Sequence, residues 1–330
     1  MTIQNSNEQK LNKLSDVQLT ILNNDKIEDK LNVIIVHFNP MKFKRIKELA
    51  LKFKNEMLLM DDVDLFIAEL SYDNKFEITE KNNDRHIQLL TTNNNITWPK
   101  ENLINIAVSR LYKTKSNFKC FAWVDSDLEF DTITWAVDTL KLLNGKYDLI
   151  QLFSHCNDLN KENETMNTYH SFCYNYYHNK KLYTPKQYSS NYSHPGFAWA
   201  MTRGSYEKIG GLYELSILGS SDFNMALALL NKNSLHCKMT KEYKESLNKF
   251  IYNAKNLRIG YCPTTVRHLF HGSKINRGYV DRHLILVKHK YNPYKHLIKN
   301  EDGLLIFSKD VPNELKQDIK TYFESRKEDE

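Results

Sequence analysis

The sequence predicts an α/β protein built on a mostly parallel β-sheet that is flanked by helices. Short apolar runs alternate with segments of helical spacing over about the first 150 residues. These runs are nearly continuous in apolar residues, which is typical of strands buried on both faces of a parallel sheet. Sheets of this kind bind ligands outside the carboxyl ends of their strands.

The predicted elements follow one another with clear turn signals. The first strand covers residues 31–38, LNVIIVHF, and ends at Asn39-Pro40. The spacing of apolar residues from Phe43 to Met57 predicts a helix. The further predicted elements are strands at 64–70 and 86–90, a helix at 101–112, a strand at 119–124, a helix from Asp131 as its cap to about residue 143, strands at 147–153 and 197–201, and a helix that begins near Asp222.

Three segments lack this regular pattern. Residues 1–30 are expected to form a polar tether with one short helix. Residues 155–195 are polar, aromatic and irregular, and we expect a long functional loop region there. The charged segment from Pro312 onward predicts a helix at the periphery of the protein.

The composition limits the classes of function. A chain of 330 residues with 41% hydrophobic residues can bury a sizeable core. The net charge of +6 is mild and the basic residues are scattered, so no nucleic-acid partner is expected. We expect a cytoplasmic protein, because no run of 18 apolar residues and no apolar leader occur. The abundance of Asn, Lys and Ile is typical of AT-rich genomes, such as those of large viruses or parasites.

Three acids stand directly after a predicted buried strand, in FAWVDSDLEF at residues 121–130. Asp125 and Asp127 are two residues apart, so their side chains point to the same side of an extended segment. Two carboxylates at a sheet edge repel each other, and a divalent cation removes that cost. Such ligands suit Mn²⁺ or Mg²⁺. The pattern predicts a metal site, and a solvated strand end is the alternative.

Two later segments add candidate groups. The stretch VRHLFHGSKINRGYVDR, residues 266–282, offers the imidazoles of His268 and His271 together with basic side chains that could neutralise phosphate. Asp222 opens an apolar helix after Gly219-Ser220-Ser221. Asp222 could be an ordinary helix N-cap, or a general base that takes the proton from an acceptor hydroxyl.

These stretches, in this order, resemble a metal-dependent glycosyltransferase of the GT-A fold, similar to family 2 and to the galactosyltransferase-like group. The stretches are VHFNP, WPKENLINIAVSRL at 98–111, WVDSD at 123–127, HPGFAWAMTR with a following Gly-Gly, GSSD at 219–222, and HLFHGSKINRGYVDR. The resemblance covers about residues 31–290. It implies one Rossmann-like domain over 31–290, with a nucleotide-binding part to about 130 and an acceptor and catalytic part from about 131. A C-terminal extension, 291–330, would follow.

The resemblance also implies roles for individual residues. Asp127 would bind the metal, and Asp125 would face the ribose or the metal's water. His271 would be the late metal ligand with His268 as its alternate, because residues three apart on a strand do not readily face the same way. Asp222 matches the base of inverting members. Nucleotide-sugar contacts are implied for Asn39, Pro40, Arg45, Glu69, Glu101, Asn102, Asn105, Asp125 and Ser126, and sugar or acceptor contacts for His194, Trp199, Arg203 and Gly211.

The implied activity is transfer of a sugar from a nucleotide-sugar donor, with UDP as the expected nucleotide, to a hydroxyl of a glycan or other glycoconjugate. Many relatives have Glu-Asp where this chain has Ser221-Asp222, so the base assignment depends on one residue. Two alternatives stay open. A sugar-nucleotide nucleotidyltransferase usually has a Gly-rich loop after its first strand, which HFNPMKFKR lacks. A non-catalytic carbohydrate- or nucleic-acid-binding module would use the aromatic run at 169–177.

Overall fold

The computed structural model describes residues 14–180, 182, 193–232, 238–279 and 281–330. The strands in these ranges are β1 (Leu31–Phe38), β2 (Val63–Ser71), β3 (His86–Leu90), β4 (Cys120–Val124), β5 (Leu128–Phe130), β6 (Leu149–Gln151), β7 (His155–Leu159), β8 (Thr165–Ser171), β9 (Ser193–His194), β10 (Ala198–Thr202), β11 (Ile259–Tyr261), β12 (Thr265–His268), β13 (Leu297–Lys299) and β14 (Leu305–Phe307). The helices are α1 (Asp16–Asn23), α2 (Lys44–Leu58), α3 (Lys100–Thr114), α4 (Trp135–Leu142), α5 (Phe172–Tyr177), α6 (Arg203–Ile209), α7 (Ser221–Leu229), α8 (Lys241–Ala254), α9 (Arg282–Lys288), α10 (Pro293–His296) and α11 (Asn313–Ser325).

Seven strands form the central sheet, in the order β11-β6-β10-β4-β1-β2-β3. Strand β1 pairs in parallel with β2 and β4, and the pairs β2–β3 and β6–β11 are also parallel. Only β10 runs against its neighbours, β4 and β6, in this sheet. All nine residues of β2 are buried, including the polar Asp64, Glu69 and Ser71, as is typical of a strand covered on both faces. The predicted α/β fold with a mostly parallel sheet is confirmed.

One edge of this sheet brings the acids after β4 close to the segment that precedes β10. The carboxyl ends of β1, β2 and β4 meet there. Because β10 is antiparallel to β4, Ala198 lies opposite Val124 and Thr202 lies opposite Cys120. The segment before β10 therefore lies at the same edge as the acids that follow β4, and the residue after β10 lies at the opposite edge.

A second sheet, in the order β5-β12-β7-β8-β9, continues from this edge. It begins at Leu128, directly after the acidic segment, and β12 pairs with β5 so that His268 lies opposite Leu128. The prediction of an irregular loop over 155–195 is wrong where β7, β8 and α5 form. The first four residues of β8 are exposed, so this strand has no apolar run that could reveal it. Residues 181 and 183–192 lie outside the described residues.

The predicted central helices agree with the structure to within a few residues, except at one cap. The N-cap of α4 is Thr134 rather than Asp131, which instead accepts a hydrogen bond from Arg267 at 2.7 Å. The helix α8, which sequence reasoning did not identify, packs against α7. No helix within the described ranges is long and apolar enough to cross a membrane.

Both terminal regions pack on the domain. Helix α1 has a capping box between Ser15 and Gln18, and it buries Val17. Residues 1–13 of the predicted tether lie outside the described residues. Helix α11 buries Leu315, Ile319, Tyr322 and Phe323. The other side chains of this helix are exposed or half-buried, so it packs on the core by one apolar face.

Candidate active site

Asp127, His268 and His271 come together just beyond the carboxyl end of β4. One ligand atom from each residue lies within 4.8 Å of the others. Nε2 of His271 is 2.8 Å from Oδ2 of Asp127, and Nε2 of His268 is 3.5 Å from the same oxygen. Within the described part of the chain, this is the only such group of three His, Cys, Asp or Glu residues.

The end of β12 explains why both histidines reach Asp127. The strand ends at His268, and residues 269–271 continue without regular secondary structure. The expectation that only one of the two rings could face the acid is wrong, because strand alternation does not continue beyond residue 268. The backbone N–H of Leu269 donates to the carbonyl oxygen of Asp127 at 2.8 Å and holds the two segments together.

Two atoms of this group, Oδ1 of Asp127 and Nε2 of His271, are buried and have no hydrogen-bond partner among the described residues. Nε2 of His271 lies 2.8 Å from Oδ2 of Asp127, which is within hydrogen-bonding distance, but the angles are not those of a hydrogen bond. Buried polar atoms are nearly always paired, so these atoms call for a further partner. One carboxylate and two imidazoles are ligands that Mn²⁺ accepts. The residues therefore fit the expected metal.

Each imidazole is held on its other side by a buried carboxylate. Nδ1 of His268 is 2.7 Å from Oδ1 of Asp158, and Nδ1 of His271 is 2.5 Å from Oε2 of Glu328. A histidine that donates Nδ1–H to a carboxylate keeps the lone pair of Nε2 for a metal. Asp158 is also paired with Lys274. Sequence reasoning missed both acids, and no local motif marks them, since they lie 110 and 57 residues from their histidines.

The charges of this group change the pKa values of its members. Burial would raise the pKa of Asp127, but His268 and His271 hold that pKa well below its ordinary value. Burial would lower the pKa of His268, but Asp127 and Asp158 raise it. Burial would also raise the pKa of Glu328, yet the hydrogen bond from His271 and the charge of Arg326 bring it to about 2. The carboxylates therefore stay ionised, and His268 holds its proton more tightly than a free imidazole.

Asp125 is not a member of this group in the described part of the chain. Its carboxylate forms an ion pair with Lys100 at the start of α3, and its backbone N–H donates to the carbonyl oxygen of Phe197 at 2.8 Å. Burial raises the pKa of Asp125 against the opposing charge of Lys100. Among the described residues, Asp125 is paired with Lys100 and is absent from the group of candidate ligands, so its implied place beside the ribose or the metal's water stays a prediction.

Asp222 lies in a small cavity next to Lys100, lined also by Glu101 and Gly196. The N-cap of α7 is Ser220, so the interpretation of Asp222 as the N-cap is wrong. One carboxylate oxygen, Oδ1, accepts from the N–H of Phe223 at 2.8 Å. The other oxygen, Oδ2, faces Gly196, where an added Cβ would lie 2.6 Å away. The free volume is about 10 Å³, the room of one water molecule, so a sugar requires the lining side chains to move.

Glu101 brings a second acid into this cavity. It is buried at the start of α3, beside Lys100 and facing the charge of Asp222. Burial raises its pKa to about 7, with Lys100 opposing this rise and Asp222 adding to it. The cavity therefore contains two acids, although position 221 of this chain is a serine.

A strained residue lies between the cavity and the metal group. Phe197 has a φ of 79°, which is unfavourable for a bulky side chain. Its ring stacks on His194 at 3.9 Å and on His268 at 4.8 Å, measured between ring centroids. Burial lowers the pKa of His194 to about 3, so the stacked ring is neutral. Gln151, which sequence reasoning missed, fixes this segment by donating to the carbonyl oxygens of His194 and Gly196.

Several residues implied to contact the nucleotide are bound within the protein. Both oxygens of Glu69 accept hydrogen bonds from the segment 77–79. The amide of Asn39 closes the turn after β1 by bonding the backbone of Phe43. Glu69 and Asn39 therefore shape the edge of the sheet. The remaining candidates at this edge are Pro40 and Ser126, which are half-buried, and Arg45, whose Nε donates to the carbonyl oxygen of Phe270 at 2.9 Å.

Asn102 and Asn105 form a different cluster. Both amides donate to Oε2 of Glu214, at 2.9 and 3.0 Å. They line a polar cleft of about 490 Å³ together with Gly211. Gly211 has a φ of 95°, and a Cβ added to it would lie 3.3 Å from Oδ1 of Asn105. This cleft shares only Leu212 with the cavity of Asp222. The two asparagines therefore join α3 to the turn after α6, and their implied contact with a nucleotide sugar is not supported.

The last two implied contacts differ from each other. Trp199 is buried, donates from Nε1 to the carbonyl oxygen of Pro195 at 2.9 Å, and lines the cavity of Asp222. Arg203 follows β10 at the opposite edge of the sheet, where it bonds Glu207 and lies over the ring of Tyr112. The assignment of Arg203 to the sugar side is therefore wrong, because the antiparallel direction of β10 carries it away.

No protein-family model matches the chain, and no curated protein matches its sequence. Among solved structures, the chain is similar to the catalytic domain of Drosophila β1,4-galactosyltransferase 7 in complex with xylobiose, at 10% identity and a TM-score of 0.39, over 86% of this chain and 96% of that chain. It is also similar to a protein described as a nucleotide-diphospho-sugar transferase from Desulfovibrio desulfuricans, at 8% identity and a TM-score of 0.35, over 91% and 99% of the two chains. Likenesses at these scores carry no argument about the site or the activity.

Proposed function

We propose that this chain is a metal-dependent glycosyltransferase of the GT-A type, which moves a sugar from a nucleotide-sugar donor to a hydroxyl of a glycan or other glycoconjugate. The observation that carries the proposal is the convergence of Asp127, His268 and His271 at the carboxyl edge of a parallel sheet. The cavity of Asp222 adjoins this group through Phe197, which lines the cavity and stacks on the ring of His268. Ligand binding at this edge is the rule for such sheets.

Asp127, His268 and His271 would hold Mn²⁺ or Mg²⁺, and the two imidazoles favour Mn²⁺. The bound ion would supply a Lewis acid that stabilises the negative charge on the departing diphosphate. Asp158 and Glu328 would keep both rings oriented. The ion pair of Lys100 with Asp125 would leave Asp127 as the acid on the metal side.

Asp222 would act as the general base on the acceptor. As the acceptor oxygen bonds to the sugar carbon, the bond from that carbon to the diphosphate oxygen breaks, and the hydroxyl proton passes to Oδ2 of Asp222. The hydrogen bond from Phe223 fixes Oδ1, and Gly196 leaves room at Oδ2. One base on the face opposite the leaving group gives inversion at the sugar carbon. We propose a UDP-sugar as the donor, with His194 and Trp199 on the sugar side.

The test is release of nucleoside diphosphate from a panel of nucleotide sugars, with Mn²⁺ or with EDTA. We expect release that requires the metal, that is lost in Asp127→Ala, and that falls about 10²- to 10⁴-fold in Asp222→Asn, which keeps its affinity for metal and donor. Asp131→Ala is the matched control, because Asp131 is a nearby acid that pairs with Arg267 outside the site. The proposal is wrong if, in the presence of Mn²⁺, no nucleotide sugar is turned over and none raises the unfolding temperature of the protein.

Identifying the product that is released, with each class of substrate, separates the alternatives. A nucleotidyltransferase would release pyrophosphate from a nucleoside triphosphate and a sugar phosphate, and a binding module would release neither product. The turn after β1 contains Asn39, Pro40, Met41 and Lys42 and no glycine, so nothing there favours the nucleotidyltransferase.

A further inference from the structure

The segment 326–329 lies against the metal group although it is far from that group in sequence. Oε2 of Glu328 is 2.5 Å from Nδ1 of His271. Arg326 pairs with Glu328, and its guanidinium lies 4.7 Å from the ring centroid of Trp98. Asp329 accepts hydrogen bonds from the backbone N–H groups of Lys44 and Arg45 at the start of α2, at 3.1 and 2.8 Å. The contacts of Arg326 and Asp329, on either side of Glu328, therefore fix the position of Glu328.

Gly272 lies in close contact with the backbone of this segment. A side chain at position 272 would place its Cβ 2.9 Å from the carbonyl oxygen of Lys327 and 3.0 Å from Cα of Glu328. Its φ of 85° also favours glycine. The residue after His271 thus allows the two backbones to approach closely enough for the carboxylate to reach the ring.

The burial of the charged pair indicates that its position is specified. Arg326 is 5% exposed and Glu328 is 3% exposed. A buried carboxylate is costly unless it is paired and hydrogen-bonded. Glu328 is bonded on one side by Arg326 and on the other by His271.

We propose that Glu328 is a positioning residue of the metal site. It accepts the Nδ1–H of His271, which keeps Nε2 unprotonated and turned toward Asp127. Asp158 has the same relation to His268 from within the second sheet, but Glu328 acts from a segment anchored on α2 and Trp98. The affinity for the metal would therefore depend on the docking of residues 326–329. This inference rests on the proposed metal site.

The test compares Glu328→Gln with Glu330→Gln in the full chain. Glu330 is the matched control, because it is an acid two residues away that is exposed and pairs only with Lys327 in the described part of the structure. The probe is Mn²⁺. Its binding is measured by calorimetry and by the electron spin resonance signal of the free ion. We expect the affinity of Glu328→Gln for Mn²⁺ to fall about tenfold or more, and that of Glu330→Gln to stay as in the wild type.

The measurement separates three outcomes. If wild type binds Mn²⁺, Asp127→Ala does not, and Glu328→Gln binds as tightly as wild type, the inference is wrong while the metal site stands. If wild type binds no Mn²⁺, the metal site and the inference are both wrong. A loss of unfolding temperature in the metal-free variant with unchanged affinity would show a purely structural role, and would also overturn the inference.

A second measurement does not depend on the variant folding. The ring nitrogens of His271 in the metal-free wild type can be assigned by nuclear magnetic resonance. The proposal requires the neutral ring to carry its proton on Nδ1, hydrogen-bonded to a carboxylate, with Nε2 unprotonated. A neutral ring with its proton on Nε2 would overturn it.

Discussion

Gly196 shows how closely the candidate site depends on single atoms. In Gly196→Ala the new Cβ would lie 2.6 Å from Oδ2 of Asp222, and the carboxylate must move. Because a displacement of about 1 Å can cost 10²-fold in rate, we expect kcat to fall about 10²-fold. The affinity for Mn²⁺ should not change, since Asp127 lies outside this contact. Steady-state kinetics and a metal titration measure the two quantities.

Gly204→Ala provides the control for that experiment. Gly204 lies in α6, and an added Cβ would meet no atom within 4 Å. We expect unchanged kcat and a stability gain of at most about 1 kcal/mol from helix propensity. Wild-type kcat in Gly196→Ala would contradict the role of Asp222 as the base.

Glu101 predicts a pH-dependent stability. Its pKa is raised to about 7 by burial, from an ordinary value of 4.5. The native state therefore binds its proton more tightly than the unfolded state, and the free energy of unfolding falls as the pH rises from about 4.5 to about 7. Glu101→Gln removes this loss. We expect the variant to gain on the order of 3 kcal/mol above pH ~7 and almost nothing below pH ~4.5.

Urea unfolding of Glu101→Gln at several pH values measures this gain. Glu207→Gln is a suitable control, because Glu207 is an exposed acid paired with Arg203 away from the cavity. A gain of the same size at low and high pH would show that packing, and not ionisation, is responsible.

At the scale of elements, the sequence predicts best where one element follows one pattern. Strands β1, β2 and β4 were predictable because each contains a nearly continuous apolar run that is followed by polar residues. The acids after β4 were candidates because they directly follow such a strand, whereas His268 and His271 were candidates as imidazoles within a basic segment. Strand β8 was not predictable, since its exposed half carries no apolar pattern.

The remaining parts of the site depend on contacts that no local pattern encodes. Asp158 and Glu328 reach their histidines across 110 and 57 residues. The direction of β10 decides that Phe197 lies at the site and Arg203 at the opposite edge, and strand direction is set by pairing rather than by composition. The pairing of Asp125 with Lys100 likewise depends on how α3 is placed.

The start of α2 depends on such a distant contact. Its N-cap, Phe43, provides no side-chain hydrogen bond, and Asp329 instead accepts from the first N–H groups of the helix. Asp329→Ala should therefore cost about 1 kcal/mol of unfolding free energy, as the loss of a helix cap does. Chemical denaturation measures it. Glu330→Ala should cost nothing measurable, and equal effects of both changes would show that the cap contributes no stability.

At the scale of the whole molecule, the metal group connects distant parts of the chain. Its candidate ligands follow β4 or lie at and just beyond the end of β12, and their supporting carboxylates come from β7 and from the segment 326–329. The first sheet, the second sheet and the terminal segment thus meet at one point. An ion bound at this point would stabilise the folded chain as a unit, because the unfolded chain does not assemble these ligands.

The last prediction follows from this convergence. Mn²⁺ at about 100 times its dissociation constant should raise the free energy of unfolding by about 2.7 kcal/mol. Asp127→Asn should lose this gain, and Asp131→Asn should keep it. The gain should also shrink as the pH falls, because His268, whose pKa is raised by Asp127 and Asp158, must give up its proton to bind the ion. Thermal unfolding with Mn²⁺ or EDTA, at about pH 8 and about pH 5.5, measures each part. Equal stabilisation of wild type and Asp127→Asn would place the ion elsewhere and remove the physical basis of the proposed transferase.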